Sequence, residues 1–142
     1  GAILVDKNDK RYIANVSNFA KNLGIAFQIK DDMLDYSLSS KHIGKPTLQD
    51  LREGKITYPL YFAMKAGGKN DKKFLQSFLG VQDKYDTSKV LNKIEALGGN
   101  HKTEELLINY IKKSKNLANK IENKQVREEM LNLSKFSYER TK

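Results

Sequence analysis

Between Asp9 and Tyr36 the apolar residues Ile13, Val16, Phe19, Ala20, Leu23, Phe27 and Leu34 recur at helical threes and fours. A strand would alternate every second residue, so this spacing predicts one long helix. Ala26, Ile29 and Met33 widen the stripe, which predicts burial over much of the circumference. Gly24 inside that helix costs about 1 kcal/mol against alanine, and a close helix–helix approach is its simplest explanation. The same period returns downstream. Thr57 ahead of Pro59 opens a helix that Gly67-Gly68 stops. Phe74, Leu75, Phe78 and Leu79 mark a second, from Asn70 or Asp71 to Gly80. Val90, Leu91, Ile94 and Leu97 mark a third, between Asp86 or Thr87 and Gly98-Gly99. Leu106, Leu107, Tyr110, Ile111, Leu117 and Ile121 form another, which Val126, Met130, Leu133 and Phe136 continue after a break near Asn123. No alternating strand, repeat or low-complexity tract is present, and the expected fold is all-α.

Residues Ser37 to Lys55 lose the period and carry Gly44, Pro46 and Gly54 with three serines. They predict a long loop with one helical turn, and loops longer than about 12 to 15 residues are often functional. The 142 residues make one domain or part of a larger one, with 39% hydrophobic residues to form a core. A net charge of +9 points to an anionic partner such as phosphate, nucleic acid or a membrane surface. The absence of cysteine excludes disulfides, thiolate metal sites and cysteine nucleophiles. Apolar runs fall far short of the ~20 residues that span a bilayer, and no signal-peptide pattern is present. The expectation is a soluble, cytoplasmic, basic chain.

The chemistry concentrates in Asp31-Asp32-Met33-Leu34-Asp35. Four positions apart on a helix, Asp31 and Asp35 stack about 6 Å apart along the axis, with Asp32 turned by about 100°. Stacked carboxylates repel unless a cation stands between them. Mg²⁺ suits this arrangement, taking one or two protein carboxylates and completing its shell with phosphate and water. An acidic solvated helix end is the alternative, but here the acids close an apolar helix and lead into a lysine-bearing loop. Lys41, Lys45, Arg52 and Lys55 in that loop could grip a metal–diphosphate from the opposite side.

The stretch Gly24-Ile25-Ala26-Phe27-Gln28-Ile29-Lys30-Asp31-Asp32-Met33-Leu34-Asp35, then Gly44-Lys45, then Asp50-Leu51-Arg52-Glu53-Gly54-Lys55-Ile56-Thr57-Tyr58-Pro59-Leu60 resembles the trans-isoprenyl diphosphate synthases. It is most similar to the long-chain polyprenyl diphosphate synthases that make quinone side chains, closely over residues 1 to 65 and in general character beyond. The resemblance implies the C-terminal half of the isoprenoid synthase helical bundle. Residues 1–36 would form the motif helix region, 37–56 the diphosphate loop and 57–142 the C-terminal helices. It implies that Asp31, Asp32 and Asp35 are the second of two facing aspartate-rich motifs that hold Mg²⁺. Asp31 would be the direct ligand, with Asp32 and Asp35 acting partly through metal-bound water. Lys45 and Lys55 would contact diphosphate, Gln28 would lie beside the allylic group and Phe27 would line the apolar tail pocket. The implied reaction condenses isopentenyl diphosphate with an allylic diphosphate to build a long all-trans product. It needs no nucleophilic side chain, and His42 and His101 are expected at the surface.

The first aspartate-rich motif and the upstream Lys-Thr pair of the family do not occur in these residues. The expectation is therefore the C-terminal part of a synthase about twice as long, inactive alone and a homodimer or heterodimer at full length. Lys30 also departs from the family, adding charge inside the motif helix, and Tyr58 stands where leucine is usual. Within the enzyme class the alternative is a short-chain farnesyl or geranylgeranyl diphosphate synthase, and a non-catalytic alternative is a regulatory or partner subunit of a heteromeric synthase. Nucleic acid is not an expected partner: the lysines are interleaved with glutamates, without helix-turn-helix spacing or a stacking platform. Peripheral membrane association is compatible with a lipid product.

Overall fold

The periodic stretches become helices whose limits follow local chemistry. A computed structural model describes residues 7–37 and 48–139, and α-helix is the regular element found among them. In chain order these are α1 (Lys7–Asp35), α2 (Gln49–Arg52), α3 (Tyr58–Ala66), α4 (Lys69–Gln76), α5 (Thr87–Ala96), α6 (Gly99–Asn119) and α7 (Lys124–Glu139). Pro59 occupies the first turn of α3 behind an extended Thr57, where its missing N–H interrupts nothing. Asp86 caps α5 by accepting the Ser88 N–H at 3.0 Å. The expected break at Asn123 is a cap as well, its Oδ1 accepting the Val126 N–H at 3.1 Å ahead of α7.

The chain divides into two compact units, Gly1–Gln28 with Leu107–Lys142, and Ile29–Leu106. In the first, Phe19 and Leu23 of α1, Ala118 of α6, Ile121 of the link that follows and Met130 of α7 form the core, with Val16, Phe27 and Leu117 packed against it. Ile13, Leu133 and Phe136 belong to the expected apolar stripes yet are exposed by 55%, 48% and 59%. Periodicity says which residues share a face. Burial needs an opposing element, and none of the described residues covers these three.

The second unit is built around Leu48, Leu51, Leu60, Ala63, Leu75, Leu91 and Ile94, each at most 1% exposed. Each fully buried leucine contributes about 1.5 to 3 kcal/mol. Here α3 packs on both α4 and α5, and α4 is tied to α5 by Asp71 and Lys93 at 2.7 Å.

The expected role of Gly24 is corrected. No described atom lies within 4 Å of where its Cβ would stand, so it makes no close helix approach. That role falls to Gly99, at the start of α6. A Cβ there would run into the Pro59 carbonyl oxygen and lie 2.9 Å from Ile94 Cγ2 and 3.2 Å from Ala63 Cβ.

The same substitution should therefore have opposite signs at the two glycines. By urea denaturation Gly24→Ala should stabilise the chain by up to about 1 kcal/mol, whereas Gly99→Ala should destabilise it by about 1 to 3 kcal/mol. Equal effects would contradict the packing described for α6. Acid sensitivity follows from Asp71, whose carboxyl is held below its ordinary value by Lys93 and then by the Gly68 N–H. A depressed folded-state value means stability that is present above the unfolded pKa and lost as pH falls through the folded one. Asp71→Asn should thus flatten the stability curve below about pH 4 and leave its shape above pH 5 unchanged, as followed by circular dichroism.

Candidate functional site

The last turns of α1 place the three motif aspartates in three environments. Asp31 is exposed and Asp35 half-buried, while Asp32 is only 7% exposed. Lys30, the charged departure inside the motif, is itself buried, at 8% exposure. The stacked pair expected of Asp31 and Asp35 is not used symmetrically, because Asp35 turns into α2.

That turn has a local cause. The four-residue α2 begins at Leu48, which has a left-handed backbone (φ 63°, ψ 30°) and no polar side chain to cap the helix. Its first N–H groups need another acceptor. Asp35 supplies it: Oδ1 accepts the Gln49 N–H and Oδ2 the Asp50 N–H, both at 2.8 Å. The Asp35 carbonyl accepts the Leu48 N–H at 3.0 Å as well. Burial raises the Asp35 pKa, the two N–H donors oppose the rise, and the charges of Asp50 and Glu53 add to it.

The other end of α2 closes on Gly54, at φ +79°. The Gly54 N–H reaches the Leu51 carbonyl at 3.0 Å and the Lys55 N–H reaches the Asp50 carbonyl at 2.8 Å, the paired bonds of a Schellman turn. This turn presents Lys55 at the surface, with Nζ 3.1 Å from a Glu53 carboxylate oxygen. The Leu51 carbonyl also accepts the Gly80 N–H at 2.8 Å. Gln82 Nε2 donates to the Arg52 carbonyl at 2.6 Å, and the Arg52 guanidinium lies 4.6 Å from the Tyr85 ring centroid. Beneath this assembly Tyr36 is fully buried. Among the described residues its hydroxyl and those of Thr57 and Tyr85 are buried without a well-formed hydrogen bond, the Tyr36 and Thr57 hydroxyls lying close to each other. Burial, then the neighbouring Asp35 charge, pushes the Tyr36 hydroxyl well above its ordinary pKa.

Phe27 and Gln28 lie earlier on α1, in the unit Gly1–Gln28 with Leu107–Lys142. Phe27 is half-buried against that unit's core, and Gln28 is exposed. Lys41, His42 and Lys45 lie outside the described residues. His101 is exposed as expected, 3.0 Å from Glu105. The spacing of the acids hid what the structure adds, the anchoring of Asp35 at Gln49 and Asp50. Its one sequence signal is a helical turn starting behind an apolar residue that cannot cap it.

The oxygen chemistry of Asp31 and Asp32 suits a hard divalent cation. Among the described residues no three acidic or histidine side chains converge into a set that would hold a metal ion. Of the two acids Asp31 is the exposed one, and Mg²⁺ typically takes one or two protein carboxylates and completes its shell with phosphate oxygens and water.

The family model described as Polyprenyl synthetase matches residues 1–97. The chain is 30% identical over 141 residues to the decaprenyl-diphosphate synthase of Dictyostelium discoideum, covering 99% of this chain and 30% of that protein. The crystal structure of geranylgeranyl pyrophosphate synthetase from Pyrococcus horikoshii superposes with a TM-score of 0.81 at 29% identity, over 92% of this chain and 40% of that one. A polyprenyl synthase from Caulobacter crescentus, crystallised with calcium and isoprenyl diphosphate, gives a TM-score of 0.76 at 28% identity, over 88% and 39% of the two chains. The chain thus spans less than half the length of these relatives and shares the helical bundle of the isoprenyl synthases. On the match over residues 1–97 and the shared bundle, the chain belongs to the polyprenyl synthetase family.

Proposed function

We propose that this chain supplies the diphosphate-holding wall of a trans-prenyltransferase that condenses isopentenyl diphosphate with an allylic diphosphate. The observation that carries this reading is the placement of Asp31 and Asp32 at the end of α1, inside the stretch that the family model matches. The Caulobacter relative holds calcium and isoprenyl diphosphate, which supports a divalent cation and the same class of ligand here. A long all-trans product is the first reading, supported by similarity to the decaprenyl-diphosphate synthase. Likeness to the geranylgeranyl pyrophosphate synthetase favours a shorter product as the second.

Asp31 offers an exposed carboxylate to the cation, and the buried Asp32 follows it in the motif. Asp35 belongs to the same motif with its carboxylate engaged at α2. Mg²⁺, when bound, would neutralise the charge that develops on the departing diphosphate. Lys55 is held by an exposed pair with Glu53, and such pairs are weak enough to exchange for a phosphate oxygen. By its place in the sequence Lys45 would contact the diphosphate, with Lys55 as the second, more peripheral lysine. Gln28 would lie beside the allylic carbons, and Phe27 would meet the apolar tail. Bond formation needs no protein nucleophile: the isopentenyl double bond attacks the allylic carbon, the C–O electrons leave with diphosphate, and a proton is lost. The reading includes a cytoplasmic protein, and no described helix is long and apolar enough to cross a membrane.

Titration calorimetry of inorganic diphosphate into the chain, with and without Mg²⁺, tests this function. Weak binding that requires Mg²⁺ is expected, reduced about tenfold or more by Asp31→Asn and a few-fold by Lys55→Met. Binding indifferent to both Mg²⁺ and Asp31→Asn would overturn the reading. Isoprene transfer from radiolabelled isopentenyl diphosphate should be undetectable with these 142 residues alone, because they contain one acidic motif. Turnover would show that a second is not needed.

A further inference from the structure

We propose that Asp35 is a positioning residue: by capping α2 it holds Lys55 in register with Asp31, and it does not itself bind the cation. Both carboxylate oxygens accept a main-chain N–H at 2.8 Å, from Gln49 and Asp50 across 14 and 15 positions of sequence. A carboxylate that turned toward a metal would have to release these donors. Leu48, at the N-cap, has no side chain to replace the lost acceptor, so two N–H groups at the start of α2 would lose their partner.

The connection to Lys55 is short. The Asp50 residue receives the Asp35 carboxylate on its N–H, and its carbonyl accepts the Lys55 N–H at 2.8 Å. Two hydrogen bonds through one residue therefore join the third motif aspartate to the backbone of the proposed phosphate lysine. The far side of α2 is tied elsewhere, to Gly80 through the Leu51 carbonyl and to Gln82 and Tyr85 through Arg52. Without the carboxylate, α1 and the start of α2 keep, among the described residues, the main-chain bond from the Leu48 N–H to the Asp35 carbonyl. Then α2 keeps its hold on residues 80–85 and loses its register with Asp31. Two aspartates of one motif divide the work, with Asp31 exposed for the ligand and Asp35 bonded to the start of α2. The Lys55 half of this proposal rests on the diphosphate reading above; the capping half does not.

Two measurements on Asp35→Ala and Asp35→Asn test it, the second variant keeping one acceptor oxygen and serving if the first fails to fold. Amide hydrogen exchange should quicken about fivefold or more at Gln49, Asp50 and Lys55 in Asp35→Ala, and by less in Asp35→Asn. In titrations with inorganic diphosphate, Asp35→Asn should leave the Mg²⁺ dependence within about twofold of the parent, whereas Asp31→Asn shifts it about tenfold or more. Diphosphate affinity at saturating Mg²⁺ should fall in Asp35→Ala and recover in part in Asp35→Asn. Unchanged exchange at Gln49 and Asp50 overturns the proposal. So does a Mg²⁺ shift in Asp35→Asn as large as that of Asp31→Asn. If Asp31→Asn leaves the Mg²⁺ dependence unmoved, the cation assignment to Asp31 falls, and amide exchange alone decides whether Asp35 is the cap.

Discussion

A single turn of helix cannot hold itself together. Fixing its dihedral angles costs more than one hydrogen bond returns, so a four-residue helix exists where something outside it satisfies its ends. For α2 that outside group is the Asp35 carboxylate, seated on two adjacent N–H groups. From that contact follow the left-handed entry at Leu48, the Schellman exit at Gly54 and the place where Lys55 leaves the turn. The same turn then anchors residues 80–85 through the Leu51 and Arg52 carbonyls.

The electrostatics of this corner are a balance of opposed effects. Burial and the charges of Asp50 and Glu53 disfavour a charged Asp35, while two N–H donors favour it. Just below, the Tyr36, Thr57 and Tyr85 hydroxyls are buried without a well-formed hydrogen bond among the described residues. Such groups usually carry a penalty of about 1 to 3 kcal/mol each. The Arg52 guanidinium over the Tyr85 ring gives that ring a favourable partner on its face.

How far the fold was legible depended on the range of each interaction. Thr57-Tyr58-Pro59, Asp86 and Asn123 act within a few residues, and the helix limits they predict are the ones observed. Gly24 and Gly99 look alike as letters, and only the neighbours brought by folding distinguish the open position from the crowded one. Ile13, Leu133 and Phe136 follow the helical period and still lie exposed, because periodicity carries no information about what stands opposite. At the site, the acidic motif and its family were readable from order and spacing. The bond from Asp35 to Gln49 and Asp50 was not, since nothing local marks an acceptor 14 or 15 residues away.

Leu48 joins two demands that ordinarily select different residues. Its backbone is left-handed, a conformation that glycine adopts freely and bulky side chains enter at a cost of about 1 to 2 kcal/mol. Its side chain is completely buried in the core beside α2, where glycine would leave a hole. Isoleucine or valine would fill part of that space but add a branch at Cβ where the backbone is least forgiving. Position 48 therefore has a narrow repertoire: under random mutagenesis with selection for the folded chain, it should drift among long unbranched apolar residues such as leucine and methionine. A site fixed in this way marks the base of the turn more durably than an exposed side chain such as that of Lys55.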